Sequence, residues 1–219
     1  MISNKLILTN LEFSRGFFLN FLQKLKLNNM KKIGIQGAKG SFSEDAAVKF
    51  ASNHGINNYE LDYLISSNAV LNSIENSKVD YGIFAMENAQ GGVVIESVEA
   101  LALYKAKIIE MFHIPIEQNL LGLAGTKVGD ISQIHSHRQA LRQCKNYLSE
   151  NFWTRPLIEE DDTAESARRL SQKKLPKTAA VIANKACADI YGLEILEQSI
   201  HDLKHNLTLF IGVSKLDLK

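Results

Sequence analysis

From about residue 31 onward, short apolar runs alternate with stretches in which apolar side chains recur every three or four positions. Ile33-Gly34-Ile35 is too short for an amphipathic helix and predicts a buried strand. The turn Gly37-Ala38-Lys39-Gly40 then leads into Ser41-Phe42-Ser43-Glu44 and a helix carrying Ala46, Ala47, Val48, Phe50 and Ala51. Ser43 is the expected N-cap, with Glu44 and Asp45 in the positively polarised first turn. The pattern continues as a strand over 61–65, a helix over 69–75 and a strand over 81–86. Glu87-Asn88-Ala89-Gln90-Gly91-Gly92 then turns into a helix over 94–104. Such alternation predicts a parallel or mixed sheet covered by helices.

The second half repeats the rhythm, with strands over 107–116, 120–124, 131–135, 157–159, 179–183 and 207–213. Helices over 138–148, 164–172 and 185–191 fall between them, the last closed by Gly192. Two α/β lobes that exchange strands fit this order better than two independent beads. The expected division places 31–111 and the C-terminal strand region in one lobe and 112–201 in the other. The crossing is expected near 110–114.

Residues 1–30 have a different texture: Phe13, Phe17, Phe18, Phe21 and Leu22 mix with Lys5, Arg15, Lys24 and Lys26, and Glu12 is the only acid. No run there is long enough to span a bilayer, and Arg15, Asn20 and Gln23 interrupt any secretory apolar core. The expectation is a poorly ordered extension before a folded unit over 31–219, with a basic amphipathic targeting helix as the alternative.

Composition narrows the partners. Twenty-five Lys and Arg against 24 Asp and Glu give a formal charge of +1, so no global field recruits nucleic acid or an anionic membrane. An anionic ligand must be caught locally. Cys144 and Cys187 form neither a CxxC pair nor a metal spacing, and the histidines offer no HExxH, so neither a metal nor a disulfide framework is expected. A reducing cytoplasm fits.

Three strand-to-helix junctions can carry chemistry. Residues 37–43 form a glycine-bearing turn whose backbone N–H groups and helix dipole suit a carboxylate or phosphate, although the spacing is neither a Walker loop nor GxGxxG. Glu87-Asn88 precedes Gly91-Gly92, so a carboxylate and an amide at a strand end can orient a hydroxylic substrate or simply fasten the turn. In the third, Ser136 is the expected N-cap with Gln139 at capping-box distance, and Arg138, Arg142 and Gln143 occupy the next two turns. The Ser136-His137 pair alone is no evidence of nucleophilic catalysis.

Taken in order, these segments resemble the prephenate dehydratase family. Residues 37–43 look like its GPxGTFS segment, Glu87-Asn88 its ENS segment, and Ser136-His137 with Gln139-Ala140-Leu141 and Gln143-Cys144 its SHPQAL..QC segment. Asp162-Thr163-Ala164 is similar to its (S/D)TA segment, residues 179–193 to its AAIA...AA..YGL segment, and 206–210 to its NxTRF segment. The resemblance implies a two-lobed α/β fold like the type 2 periplasmic binding proteins, with the active site in the interlobe cleft. It implies decarboxylating dehydration of prephenate to phenylpyruvate in phenylalanine biosynthesis, without a cofactor, by a homodimer.

Carried over by motif, Thr208 is the hydroxyl that assists departure of water. Asn88, Ser136 and Gln143 are expected to bind substrate polar groups, Ser41 and Thr163 to present hydroxyls at helix starts, and Glu87, Asn206 and Phe210 to complete the pocket. Five positions depart from the pattern: Leu209 stands for Arg, Ala89 for Ser, Arg138 for Pro, Gln118 for His and Ser41 for Thr. Arg138 or Lys39 is the expected source of a displaced positive charge. Many members continue into a phenylalanine-sensing ACT domain; this chain ends at Lys219, so internal feedback is not expected. A non-aromatising prephenate decarboxylase and a non-catalytic sensor using the same cleft are the alternatives, and arogenate is a variation in substrate.

Overall fold

The computed structural model describes residues 30–216, so the expectations for the N-terminal extension lie outside the described residues. The first sheet is built from β1 (Lys31–Ile35), β2 (Tyr59–Tyr63), β3 (Tyr81–Asn88), β4 (Gly92–Val93) and β5 (Ala106–Pro115), joined by the last strand, β11 (Leu207–Lys215). Its order is β2-β1-β3-β11-β5, with β4 pairing on β3. The connecting helices are α1 (Phe42–Asn53), α2 (Ser67–Glu75) and α3 (Ile95–Leu103).

The second sheet contains β6 (Asn119–Gly122), β7 (Gln133–His137), β8 (Leu157–Glu160), β9 (Ala179–Ala183) and β10 (Glu194–Glu197). Its order is β10-β6-β9-β7-β8. Helices α4 (Arg138–Gln143), α5 (Lys145–Asn151), α6 (Thr163–Ser171) and α7 (Ala186–Tyr191) cover it.

Both sheets are helix-covered on two faces, which explains their continuous apolar strands. On β11, Phe210 joins Ile33, Phe50 and Phe112 beneath α1, whereas Ile211 and Val213 join Val70, Leu71, Ile74 and Phe84 beneath α2 and α3. β9 divides in the same way. Ala180 and Ile182 meet the α4 and α5 side chains Leu141 and Leu148, while Ala179, Val181 and Ala183 meet Ala167 and Leu170 of α6 and Cys187 of α7.

Only two segments cross between the sheets among the described residues: 116–118 outward and 198–206 on the return. Backbone bonds lay them side by side, Ile116 N–H donating to the Asn206 carbonyl (2.8 Å) and Ile200 N–H to the Gln118 carbonyl (2.9 Å).

Several local expectations change. Ser41, not Ser43, is the N-cap of α1, because the helix begins at Phe42. Ser136 belongs to β7, and His137 caps α4 instead, its side chain accepting from the Gln139 N–H. The helix expected over 138–148 breaks at Cys144, where the return crossing supplies the missing partners. Asp202 N–H donates to the Gln143 carbonyl (2.7 Å), and the Asp202 carboxylate accepts from the Asn146 N–H (3.2 Å). β10, a short edge strand with a bulge after Ile195, has no counterpart in the sequence reading.

Candidate active site

The cleft between the sheets encloses about 430 Å³. Its walls bring together the start of α1 (Ser41, Phe42, Ser43), the start of α6 (Asp162, Thr163), the end of β3 (Asn88) and two residues of β11, Thr208 and Phe210. Gln118, Gln139 and Gln143 close it from the crossing and from α4 and its N-cap region.

Asn88 is the centre of the polar network. Its Oδ1 accepts from the backbone N–H groups of Gln90 (3.1 Å) and Gly91 (3.0 Å) and from Gln143 Nε2 (2.9 Å). Backbone amides can only donate, so they fix which end of the Asn88 amide carries oxygen. Nδ2 is thereby directed at Thr208 Oγ1 (2.7 Å), with Asn206 Oδ1 at 3.3 Å behind it. The Gln139 amide packs directly over Gly91, where a Cβ would displace it.

A bulge puts Asn88 in this position. Between Leu209 and Phe210 the β3–β11 register slips, so Phe210 faces Ala85, Leu209 faces Glu87 and Thr208 faces Asn88. Met86 is the extra residue. Ala85 and Asn88 both line the cleft although three positions apart, an arrangement that strict alternation forbids and a bulge permits.

Among the described residues no Lys or Arg lines the cleft to meet the anionic end of a ligand, and His137 is the one basic side chain in its wall. What faces it instead is the N-terminal turns of α1 and α6, whose backbone N–H groups favour negative charge. Ser41 Oγ is buried without a hydrogen-bond partner, and the residue lines the cleft. Gly37, at φ 142°, passes so close that any Cβ would lie 2.6 Å from that oxygen. Three carboxylates, Glu96, Asp161 and Asp162, also line the cleft, and Asp162 caps α6 by accepting from the Glu165 N–H (2.8 Å). Burial pushes the Asp162 carboxyl up, although the Glu165 and Ala164 backbone N–H groups pull it back in part. Burial also raises Asp45, beside which Asn184 Nδ2 donates across the lobes to Oδ2 (2.6 Å).

Of the sequence-derived candidates, Thr208, Asn88, Gln143, Ser41, Thr163 and Phe210 share the cleft, and Asn206 braces the Asn88 amide from behind. Two do not reach it. Ser136 is fully buried with Oγ donating to the Ile182 carbonyl (2.6 Å), so it fastens β7 to β9. Glu87 is exposed because the bulge turns it away.

Leu209 also lies off the cleft, between Glu87 and His113 on the opposite face of the sheet from Thr208 and Phe210. Leu at this position therefore removes no cation from the pocket. Arg138 and Lys39 are exposed and absent from its walls, so neither supplies a substitute charge. Gln118, marked in the sequence only by its departure from histidine, is a wall residue.

Two helix-covered sheets joined by paired crossings, with a polar cleft between them, define a two-lobed α/β fold like that of the periplasmic binding proteins. A nutrient binding protein from Burkholderia cenocepacia bound to methionine has this fold, with a TM-score of 0.51 at 16% identity over 84% of each chain. The sequence narrows the class: the family model described as prephenate dehydratase matches residues 33–217, and the chain belongs to that family.

The chain is similar to a prephenate dehydratase from Arthrobacter aurescens, solved in complex with L-Phe, with a TM-score of 0.76 and 25% identity over 85% of this chain and 61% of that one. It is also 33% identical, over 184 residues, to arogenate dehydratase/prephenate dehydratase 1, chloroplastic, of Arabidopsis thaliana, covering 84% of this chain and 45% of the relative. The chain spans about half the length of the first curated relatives it matches.

Proposed function

We propose that the chain converts prephenate to phenylpyruvate, with Thr208 as the proton donor to the departing hydroxyl. The observation that carries this is the fixed direction of the Asn88–Thr208 bond. Because Asn88 Nδ2 donates to Thr208 Oγ1 (2.7 Å), the threonine proton is not used toward Asn88 and is free for a ligand.

In the reaction Thr208 transfers that proton to the C4 hydroxyl and the C4–O bond breaks. The C1–carboxylate bond breaks with it, its electron pair completing the aromatic ring. Water and carbon dioxide leave, and solvent returns one proton to Thr208. Threonine is a weak acid, so the charge left on Oγ1 is the difficulty. Asn88 Nδ2, already placed, stabilises it without reorganisation. Aromatisation supplies the driving force, and the cleft positions the substrate. The two carboxylates are assigned to the N-terminal turns of α1 and α6, with Ser41 and Thr163 adding hydroxyls.

The reading includes a homodimer in a reducing cytoplasm. Supporting the first, β5 is an edge strand that exposes Ile108 and Met111. Supporting the second, Cys144 and Cys187 are buried free thiols. No described helix is long and apolar enough to cross a membrane.

The test is product analysis: purified protein is incubated with prephenate, phenylpyruvate is followed by its absorbance in alkali, and non-aromatic products are separated. Phenylpyruvate is expected. A non-aromatic decarboxylated product would assign the chain to the decarboxylase alternative, and binding without turnover to the sensor alternative.

A further inference from the structure

The amide network that orients Asn88 has one end left open. Gln143 Nε2 donates to Asn88 Oδ1 (2.9 Å), so Gln143 Oε1 must be its other end, and it accepts from Gln118 Nε2 (2.9 Å). Each amide fixes the next, back to the Gln90 and Gly91 backbone donors. Gln118 therefore presents its carbonyl oxygen, and that Oε1 is buried with no partner. The residue is 3% exposed and forms part of the cleft wall. An amide oxygen accepts and cannot donate, so a hydrogen from a ligand or a water must satisfy it. Leaving such an acceptor dry is unfavourable, which makes it a preformed subsite for a donor.

We infer that Gln118 Oε1 accepts the hydrogen of the substrate's C4 hydroxyl, holding the leaving group against Thr208; this rests on the dehydration reading above. Ionised prephenate has no other donor: its carboxylates and its keto oxygen only accept. Gln118 also reaches Thr208 through Gln143 and Asn88, so acceptor and proton donor belong to one network. With the hydroxyl hydrogen engaged by Gln118, a lone pair of the same oxygen is turned to Thr208. After proton transfer the leaving water keeps its hydrogen bond to Gln118. The assignment also gives a meaning to glutamine where the family usually carries histidine, since a neutral imidazole likewise offers one N–H and one acceptor nitrogen.

The experiment compares kcat and KM of the wild type, Gln118→Leu and Gln118→His on prephenate and on arogenate, its amino-acid counterpart, across pH. Gln118→Leu should lower kcat for both substrates roughly tenfold, the worth of one neutral hydrogen bond, while changing KM far less. Gln118→His should restore most of that loss above about pH 7. Its kcat should then fall below a pH of about 6.5, where the protonated ring can no longer accept, an acid limb that the wild type lacks.

An unchanged kcat in Gln118→Leu, or a histidine variant with the wild-type pH profile, would overturn the inference while leaving the reaction intact. A loss confined to arogenate would also overturn it, since it would place an ammonium rather than the hydroxyl at this oxygen. If the wild type turns over neither substrate, it is the dehydration reading that fails, and the hydroxyl assignment with it.

Discussion

Replacing Asn88 with Asp changes one atom at the centre of the site and separates its structural role from its chemical one. The structural role should survive. Oδ1 receives the Gln90 and Gly91 backbone N–H groups and Gln143 Nε2, all of which can donate equally well to a carboxylate. Hydrogen bonds to a charged acceptor are worth about 1.5–3 kcal/mol each and offset much of the cost of burying the charge. The expected change in unfolding free energy is no more than about 2 kcal/mol. Asn88→Leu, by contrast, leaves those donors unpaired at about 1–3 kcal/mol apiece and should destabilise the protein by at least about 3 kcal/mol.

The chemical role should be lost in Asn88→Asp. The atom 2.7 Å from Thr208 Oγ1 becomes an acceptor, so the threonine hydroxyl turns its proton toward the new carboxylate and loses the donor that stabilises its alkoxide. Removing one preorganised donor to a developing oxyanion costs about 10²–10³ in kcat. Charge repulsion also raises KM, so kcat is the diagnostic quantity. Lowering the pH until the introduced carboxyl protonates restores a donor, and part of kcat should return on the acid side. Urea unfolding and steady-state phenylpyruvate formation measure the two roles. A folded Asn88→Asp variant with kcat within threefold of wild type would refute the argument.

Other consequences are direct. Leu209→Arg should leave kcat/KM within about twofold, because the side chain lies between Glu87 and His113 off the cleft, where an exposed ion pair is worth about 0–1 kcal/mol; a large gain would place the residue in the site. Gly212→Ala should cost about 1–3 kcal/mol in urea unfolding, since its Cβ would meet the fully buried Phe50 ring. Burial raises the Cys144 thiol and, with Asp162, Asp45 and Glu44 nearby, pushes Cys187 up to about 12. Iodoacetamide at pH 8 should therefore label neither until denaturant is added.

The Glu165 carboxyl is held below its ordinary value of 4.5, chiefly by the Arg168 side-chain hydrogen bonds. A depressed folded-state value stabilises the fold above the ordinary value and loses that contribution as pH falls through the depressed one. The small melting-temperature difference between wild type and Arg168→Ala should accordingly close in acid.

The periodicity made the layers legible. Ala179–Ala183, apolar at every position, is a central strand covered on both faces, and Gly192 at φ 64° closes α7 as its place after Tyr191 implies. The polar candidates were legible as types but not as directions. Glu87 and Asn88 are equally plausible at a strand end, and the register slip at Met86 decides between them, a long-range pairing with β11 that no local pattern records.

Leu209 drew attention because its neighbours Thr208 and Phe210 carry the site. Alternation along β11 sends it to the other face. Asp202, distant in sequence, breaks the helix expected over 138–148 by capping both sides of Cys144. Gln118 was hidden for a different reason. Its meaning lies in an unfilled acceptor, which exists only once the amides around it are oriented.

The central claim is that Thr208 delivers the proton, and the most direct measurement is single-turnover phenylpyruvate formation by Thr208→Val beside the wild type, with prephenate binding measured in parallel. Valine preserves the shape and puts a methyl in place of the hydroxyl, removing its proton and with it the acceptor of Asn88 Nδ2. The rate should fall at least about 10²-fold, with binding changed by less than about tenfold. A Thr208→Val protein that forms phenylpyruvate at the wild-type rate would contradict it.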